Sequence, residues 1–552
     1  MIFQYIAMIL IVTFSLVLGT LSVGKALGSN AGIHFFDQGF DEETRQTFYH
    51  ATQGTRLLPY SWLLALEQSD NSHPFLEDEN LRRLGFIPDH NPLHNPDHLP
   101  VGFAKTIDSM AQDTWVGLTC AACHTMDISY KEYTMRIDGG PAMIDALTLM
   151  EEIEKAIQAL LVGELDEENF ERFAKSVLKE QHNETGEQRL REQVKTYYES
   201  LQRPQAIARE FKIELYPNTW GKGRLDALGR GGNTVLLQLD RSNLRPANAP
   251  VSFPAIWNTW LLSWVQWNGA AMQPMGRNLL QAIGLNANLI VEPNNHTFKA
   301  STSIKDLADI EKLVQRLQPP AWPFEIFGKP IDQASASQGG KLYEQHCAHC
   351  HVPKLTEPNA QGDQFKKVHL IPLEEIGTDP LSATNFHNRM VQSGPLGLGL
   401  LTVADTAQYL TTKIMEGQFK ELNLAHEQQE TWTGGRANTM RAPLGYMARP
   451  HSGVWALAPY LHNGSIPNLY QLLSPQDERD DAFYVGHSEF DPIHVGFITH
   501  KKMDTDFKFD TALPGNSNAG HEFRDGPRQN GVIGPALSEA ERWDLIEYLK
   551  TI

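Results

Sequence analysis

Apolar and polar positions recur with helical spacing in two stretches of the chain. Over residues 150–211, charged residues separate apolar positions that repeat every three or four residues, which predicts an antiparallel helical pair. Over residues 537–550, an apolar stripe follows Ser538, whose spacing from Glu541 predicts a capped helix. Strand patterns are few, so the sequence predicts a mostly α fold with long loops.

The N-terminus carries an apolar run from Ile6 to Val23, with no Lys or Arg before Lys25. Residues 1–28 are therefore expected to be either a secretory signal, cleaved near Ala26-Leu27-Gly28, or an uncleaved membrane-anchoring helix. In both cases the remainder of the chain is exported. The sequence thus predicts a periplasmic protein. If the N-terminal helix is not cleaved, the protein would stay anchored to the membrane.

Prolines at positions 319, 320 and 323 mark a stiff connector, and we place a linker at residues 319–333. Residues 29–318 then form an N-terminal domain whose helical insertion spans about 150–211. Residues 334–552 form a C-terminal domain that opens with a predicted helix at 334–347. This division predicts two units joined by an extended segment.

A weak internal repeat supports that division. The first half contains Arg245-Pro246, Ile256-Trp257 and Trp267-Asn268-Gly269, and the second contains Arg449-Pro450, Val454-Trp455 and His462-Asn463-Gly464. The intervals between these pieces differ. The pattern indicates a duplication in which each half is one binding unit.

Composition and charge narrow the function classes. The 552 residues include 41% hydrophobic and 20% charged residues, an ordinary globular composition, and the formal net charge is -19. Such an acidic chain is not expected to bind nucleic acid or to dock on anionic lipid by charge.

All four cysteines fall in two Cys-x-x-Cys-His motifs, Cys120 to His124 and Cys347 to His351. Two cysteines at this spacing can each form a thioether with one vinyl group of the same haem, and the adjacent histidine can reach the iron. A redox dithiol does not need the histidine, and a zinc site would need the two pairs closer together in sequence. The motifs predict two covalently bound haem c groups and two cytochrome c-like domains.

Several segments resemble the di-haem cytochrome c peroxidase superfamily, and within it the larger rubber-oxygenase branch. They are Gly117 to His124, Arg136 to Ala142, Gly223 to Gly229, Trp264 to Gly269, Ala458 to Ser465, Phe483 to Gly486 and Asn518 to His521. The resemblance runs over most of the chain and implies a haem-dependent oxidoreductase. It leaves open whether calcium lies between the domains.

The resemblance also implies roles for three histidines. His124 would ligate a reactive haem with an open far side, where O₂ or hydrogen peroxide reacts, and His351 would ligate an electron-relay haem. His521 would be the second ligand of the relay haem. The alternatives are that His521 is an ordinary loop histidine and that Met440 or Met447 supplies the ligand.

Four tryptophans at positions 257, 260, 264 and 267 would line one face if their segment is helical. We expect Trp264 and Trp267 to approach the haem as catalytic residues, although an aromatic core wedge explains the spacing equally well. Arg136, Arg449 and His462 are candidate partners of the haem propionates. Ordinary salt bridges are the alternative for the two arginines.

One departure from the resemblance bears on the reaction. The compact peroxidases carry a glutamate soon after their Trp-Asp-Gly segment, whereas here the first carboxylate after Trp267-Asn268-Gly269 is Glu292. Without a placed acid-base group, peroxide cleavage loses roughly 10² to 10⁴ in rate. We therefore expect O₂-dependent oxidation of an unsaturated apolar substrate, small or polymeric. The alternatives are peroxide reduction with a small redox protein as donor, and electron transfer without catalysis.

Overall fold

The computed structural model describes residues 32–108, 113–161, 166–295, 297–352, 368–503 and 505–552. Helices make up 41% and strands 16% of these residues. The expectation of a mostly α fold is therefore wrong. The strands are two to six residues long, and a period-two pattern of that length is too short to stand out in a sequence.

Among the described residues, the α-helices vary from one turn to eight turns. Their bounds are Glu42–His50, Tyr60–Ala65, Asp78–Arg83, Cys120–Cys123, Ala146–Gln158, Asp166–Leu178, Glu184–Phe211, Gly229–Leu236, Pro274–Gly284, Ile304–Arg316, Phe324–Phe327, Gln333–His346, Leu373–Ile376, Leu381–Asn388, Val403–Glu421, His426–Thr433, Leu469–Leu472 and Glu539–Leu549. Three of them occupy the expected helical insertion, so the predicted pair is corrected to three helices.

The strands form small separate sheets. One sheet has the order Ile33–Phe35, Tyr133–Asp138, Thr125–Tyr130, and another the order Leu58–Pro59, Asp113–Leu118, Phe103–Asp108. The two-stranded pairs are Arg224–Leu225 with Val251–Ser252, Leu289–Glu292 with Thr297–Ala300, Leu370–Pro372 with Gly445–Met447, Met390–Gln392 with Leu400–Thr402, Ala482–Val485 with Phe507–Asp510, Phe490–Asp491 with Gly496–Phe497, and Glu522–Phe523 with Val532–Gly534.

Residues from both sides of the predicted linker share the same hydrophobic clusters. One cluster joins Phe48 and Trp257 from the first half to Trp455 and Leu545 from the second. Another cluster packs the helices Gly229–Leu236, Pro274–Gly284 and Ile304–Arg316 against Val403–Glu421. Burying apolar surface is the main favourable term in folding, so these shared clusters hold the two halves together.

The N-terminal prediction falls on residues 1–28, which lie outside the described residues. Within the described part of the chain, no helix is both long enough and apolar enough to cross a bilayer. The C-terminal prediction is confirmed. The helix Glu539–Leu549 begins at Ser538, whose side chain and that of Glu541 form the expected capping box.

The internal repeat acquires a definite register in the structure. Asn258 and Gly453 both have left-handed backbone, and each precedes a 3₁₀ helix, Thr259–Leu261 in the first half and Val454–Ala456 in the second. Trp260 therefore corresponds to Trp455. The sequence-based pairing of Trp257 with Trp455 is corrected by three positions.

The same spacing continues through the next turn of each half. Val265 bridges to Ala271, and Tyr460 bridges to Ile466. The next residue in each half has a positive φ, which is 74° for Gln266 and 63° for Leu461. Backbone strain of this kind at equivalent positions supports duplication of a single turn.

The helix that leads to the second haem motif packs closely on the C-terminal helix. A Cβ on Gly339 would overlap the carbonyl oxygen of Asp544, whereas a Cβ on Gly417 would meet its nearest atom, the carbonyl oxygen of Phe298, at 3.7 Å. We expect Gly339→Ala to lower the free energy of unfolding by about 1–3 kcal/mol through overpacking. The matched variant Gly417→Ala should be neutral or stabilising by up to about 1 kcal/mol. Thermal or denaturant unfolding of both variants checks this, and equal effects would contradict the close helix contact.

Candidate functional site

The first Cys-x-x-Cys-His motif is one helical turn between two strands. The turn Cys120–Cys123 follows the strand Asp113–Leu118, and His124 leads directly into Thr125–Tyr130. The amide of Gly139 donates to the carbonyl of His124 at 2.7 Å, and the amide of Ala142 donates to that of Cys123 at 3.1 Å. These bonds fix the two sulfurs and the imidazole on the wall of a single cavity.

That cavity has a volume of about 240 Å³ and a mostly apolar lining. Cys120, Cys123 and His124 line it. Side chains from several packed helices complete the lining, among them Val235, Leu236, Leu280, Phe386 and Ala407. Such a concave, apolar space with a few polar groups is typical of cofactor and substrate sites.

The thiols fit attachment to haem better than redox chemistry. Burial raises the pKa of Cys120 and of Cys123 to about 12, and that of Cys347 to about 12. Reactive cysteines need a lowered pKa, because the thiolate is the nucleophile. A thioether has no proton and no charge, so it carries no such penalty in a buried site.

His124 is held as a neutral imidazole, the form that ligates a metal. Burial lowers its pKa to about 4, and the carbonyl of Pro254 opposes this fall. The Nδ1 atom nevertheless makes no bond of normal hydrogen-bond geometry to any described residue. The carbonyl of Pro254 therefore lies near the ring without a hydrogen bond of normal geometry to Nδ1.

The second motif begins where the helix Gln333–His346 ends. The amides of Cys350 and His351 both donate to the carbonyl of Cys347, at 3.1 and 2.8 Å, which closes the turn. The Nδ1 atom of His351 lies 2.7 Å from the carbonyl oxygen of Arg449. A proton on Nδ1 therefore leaves Nε2 free for the iron, and burial lowers the pKa of His351 to about 4.

His521 faces His351 at a distance that suits one iron between them. The two ring centroids lie 6.2 Å apart. Because a metal–imidazole bond is about 2 Å long, rings on opposite sides of one iron have centroids roughly 6 Å apart. Burial lowers the pKa of His521 to about 3, and its Nδ1 has no partner among the described residues. The prediction that His521 is the second ligand fits this geometry.

A third imidazole lies against the same motif. His451 stacks on His351 with a centroid distance of 4.0 Å, and its Nδ1 lies 3.0 Å from the hydroxyl oxygen of Tyr343. The described residues contain no group of three or more His, Cys, Asp or Glu side chains arranged to hold a metal ion. A haem iron needs at most two protein ligands, so the histidines at this site are sufficient.

The two methionine alternatives lie at the first motif. Met440 and Met447 both line the cavity beside His124. Among the residues that line this cavity, His124 is the only histidine. The two motifs therefore differ in their surroundings: His124 lines a cavity that contains no other histidine, whereas His351 lies near His521.

The tryptophan segment is not an α-helix, so the premise of a common helical face is wrong. Its only helical part is the 3₁₀ turn Thr259–Leu261, after which the chain runs in turns. Trp264 and Trp267 line the cavity, as expected, but Trp257 lies in the core and Trp260 lies outside the cavity lining. The indole of Trp267 donates to the carbonyl of Ser252 at 2.8 Å.

The three candidate propionate partners separate in the structure. Arg449 lines the cavity, and its described side-chain hydrogen bond goes to the carbonyl of Ala255 at 2.5 Å. Arg136 instead forms a two-pronged salt bridge with Asp127, at 2.7 and 2.8 Å. His462 is buried against the ring of Tyr446 and does not line the cavity. Of these three candidates, only Arg449 lines the cavity, where Arg230 and Arg277 are further cationic groups.

The sequence reasoning missed a carboxylate in the cavity wall. Glu311 accepts hydrogen bonds from Arg277 at 2.6 Å and from Asn278 at 3.0 Å, and all three residues line the cavity. Glu311 lies on the buried face of the helix Ile304–Arg316, and a charge on an apolar face was the available signal. Glu292, the carboxylate that the sequence offered, is exposed. The cavity wall therefore contains a carboxylate that the sequence reasoning did not find.

If His521 is the second ligand of a haem iron that His351 would hold, His521→Ala should remove that ligand. In electron paramagnetic resonance of the oxidised protein, we expect its low-spin signal to be replaced by a high-spin one, while His451→Ala keeps the low-spin signal. The two variants are matched because both rings contact His351. The opposite result would make His451 the ligand.

Comparison with known proteins places the chain in a family. Residues 445–484 match the family described as RoxA-like, cytochrome c-like. The chain is 36% identical to the uncharacterized protein y4iJ of Sinorhizobium fredii (strain NBRC 101917 / NGR234) over 569 aligned residues. This alignment covers 94% of the chain and 93% of y4iJ. The chain is 30% identical to the uncharacterized protein y4iM of the same strain over 330 aligned residues, and this alignment covers 58% of the chain and 68% of y4iM.

The matched segment 445–484 is the one that contacts both motifs, because it contains the carbonyl that His351 faces and the guanidinium in the cavity. A cytochrome c-like segment at this place agrees with thiols and imidazoles that fit haem. The chain belongs to the same family as y4iJ, and its RoxA-like segment identifies it as a haem cytochrome of the oxidoreductase kind.

Proposed function

We propose that the protein is a periplasmic di-haem c-type cytochrome that uses O₂ at the His124 site to oxidise a carbon–carbon double bond of an apolar substrate. The His351 site would relay electrons. One observation carries the proposal: His351 faces a second imidazole, whereas His124 faces a cavity with a mostly apolar lining. An iron with two protein ligands cannot bind substrate without losing one.

The residues of the cavity would orient the substrate and exclude water. A haem attached through Cys120 and Cys123 would supply the oxygen chemistry. Leu236, Leu280 and Phe386 offer apolar contacts to an alkene, such as a polyisoprene segment or an unsaturated fatty acid. A haem held by Cys120, Cys123 and His124 would fill part of this cavity, and the proposal requires that the rest of its apolar lining stays open to the substrate.

A second candidate function is reduction of hydrogen peroxide. The observation that favours it is the carboxylate of Glu311 in the cavity wall, since peroxide cleavage needs a group that moves protons. Its ion pair with Arg277 keeps this carboxylate in place. In this alternative a small redox protein would deliver electrons through the His351 site.

Ala407→Phe tests the main proposal. Ala407 is buried on the helix Val403–Glu421 and lines the cavity. A phenyl ring at this position would occupy part of the cavity that the substrate would need. We expect the purified wild type to consume O₂ with an alkene and the variant to lose about tenfold or more in rate. Haem content and the CO difference spectrum should stay unchanged. Failure of the wild type to consume O₂ with any alkene rejects the proposal.

Glu311→Gln tests the second candidate. The amide keeps an acceptor for Arg277 and Asn278 but cannot exchange a proton at neutral pH. We expect the variant to lose roughly 10² to 10⁴ of any peroxide turnover and to retain alkene oxidation. The control Glu292→Gln changes an exposed carboxylate and should affect neither rate. Rapid peroxide turnover in the wild type, lost in Glu311→Gln and unaccompanied by alkene oxidation, would favour the peroxidase.

A further inference from the structure

A backbone carbonyl from a distant part of the chain lies near the histidine of each motif. For His351 it is the carbonyl of Arg449, and for His124 it is the carbonyl of Pro254. These two positions are equivalent under the register of the internal repeat, since Pro254 precedes Asn258 by as many residues as Arg449 precedes Gly453. The duplicated turn thus places a carbonyl behind each imidazole.

The side chain of Arg449 joins the two segments that supply these carbonyls. The guanidinium of Arg449 donates to the carbonyl of Ala255, the residue that follows Pro254, at 2.5 Å. The same residue offers its own carbonyl to His351 and lines the cavity beside His124 with its charged group. Arg449 therefore links the segment whose carbonyl faces His351 to the segment that lies next to His124.

The contacts around this link make it stiff. The indole of Trp257 donates to the carbonyl of Ser452 at 2.9 Å, and the amide of Met447 donates to the carbonyl of Trp267 at 2.7 Å. The ring of Trp267 lies 5.5 Å from the Arg449 guanidinium carbon. Because the segments on both sides are tied together, a shift of one carbonyl is transmitted to the other.

We propose that Arg449 is a positioning residue that couples the two haem sites, so that its side chain sets the reduction potential of both irons. This inference rests on the proposed function only in requiring one haem at each motif. The guanidinium is a fixed positive charge beside the His124 site, and the carbonyl orients the ligand of the other site.

The physical basis differs between the two sites. A positive charge near an iron disfavours its oxidised state, which carries the larger positive charge, so loss of the guanidinium should lower the potential of the His124 haem. At the second site, the bond from Nδ1 of His351 to the carbonyl makes the imidazole a stronger donor. Loss of the anchor to Ala255 loosens that carbonyl, which should raise the potential of the His351 haem.

The test is a potentiometric titration that follows each haem by its absorbance, with the haem count measured first on the same protein. We expect Arg449→Gln to change the reduction equilibrium of both haems in opposite directions by about tenfold or more, which is about 59 mV for one electron. Arg449→Lys keeps the charge but loses the forked guanidinium. It should restore the potential of the His124 haem and leave that of the His351 haem shifted.

Arg441→Gln is the matched control. Arg441 stacks on the ring of Trp264 at 3.8 Å and donates to the carbonyl of Gly269, so it removes a similar charge without touching the carbonyl that His351 faces. We expect it to shift the His124 haem alone. If Arg449→Gln and Arg449→Lys also leave the His351 haem unshifted, the coupling is overturned.

Failure of the coupling and failure of the proposed function give different results. Two haems per chain with shifts confined to one of them overturn the coupling and leave the proposed function standing. Opposite shifts in a protein that oxidises no alkene support the coupling and reject the proposed chemistry. Fewer than two haems per chain overturns both.

Discussion

Each Cys-x-x-Cys-His turn must present two sulfurs and one imidazole to the same space, and a backbone carbonyl must stand behind the imidazole to fix which nitrogen is free. The rest of the structure provides those carbonyls. Pro254 and Arg449 lie far along the chain from His124 and His351, so only the packed fold brings each pair together. The core that spans both halves is what holds the carbonyl segments in place.

The two sites share this arrangement and differ in the opposite wall. Around His351 the chain offers the imidazoles of His521 and His451 and the phenol of Tyr343. Beside His124 several packed helices leave an apolar space with an ion pair, Arg277–Glu311, in its wall. A buried ion pair contributes little net stability, since desolvation offsets most of the attraction. Its place in the cavity is better explained by chemistry than by stability.

Small residues make the close approaches that the sites require. Gly102 packs on the turn of the first motif, where a Cβ would overlap the backbone of Ala122. Gly339 allows the helix before the second motif to contact the C-terminal helix. Positive φ at Gln266 and Leu461 is strained for residues with side chains, and it recurs at equivalent points of both halves. The duplicated turn is therefore a required shape and not a flexible connection.

The sequence by itself determined the two Cys-x-x-Cys-His motifs that indicate haem attachment and the C-terminal capping box. These follow from local spacing or from motifs a few residues long, which the physics of a single turn or helix decides. The fold class, the three-helix insertion and the absence of a tryptophan helix could not be read in this way, because short strands and turns form through contacts between distant residues.

Glu311 and Pro254 illustrate the same limit within the site. Neither carries a motif, and each gains its role from the element that packs against it. Tertiary structure alone decided which histidine faces another imidazole and which faces a cavity, because that depends on packing from both halves of the chain at once.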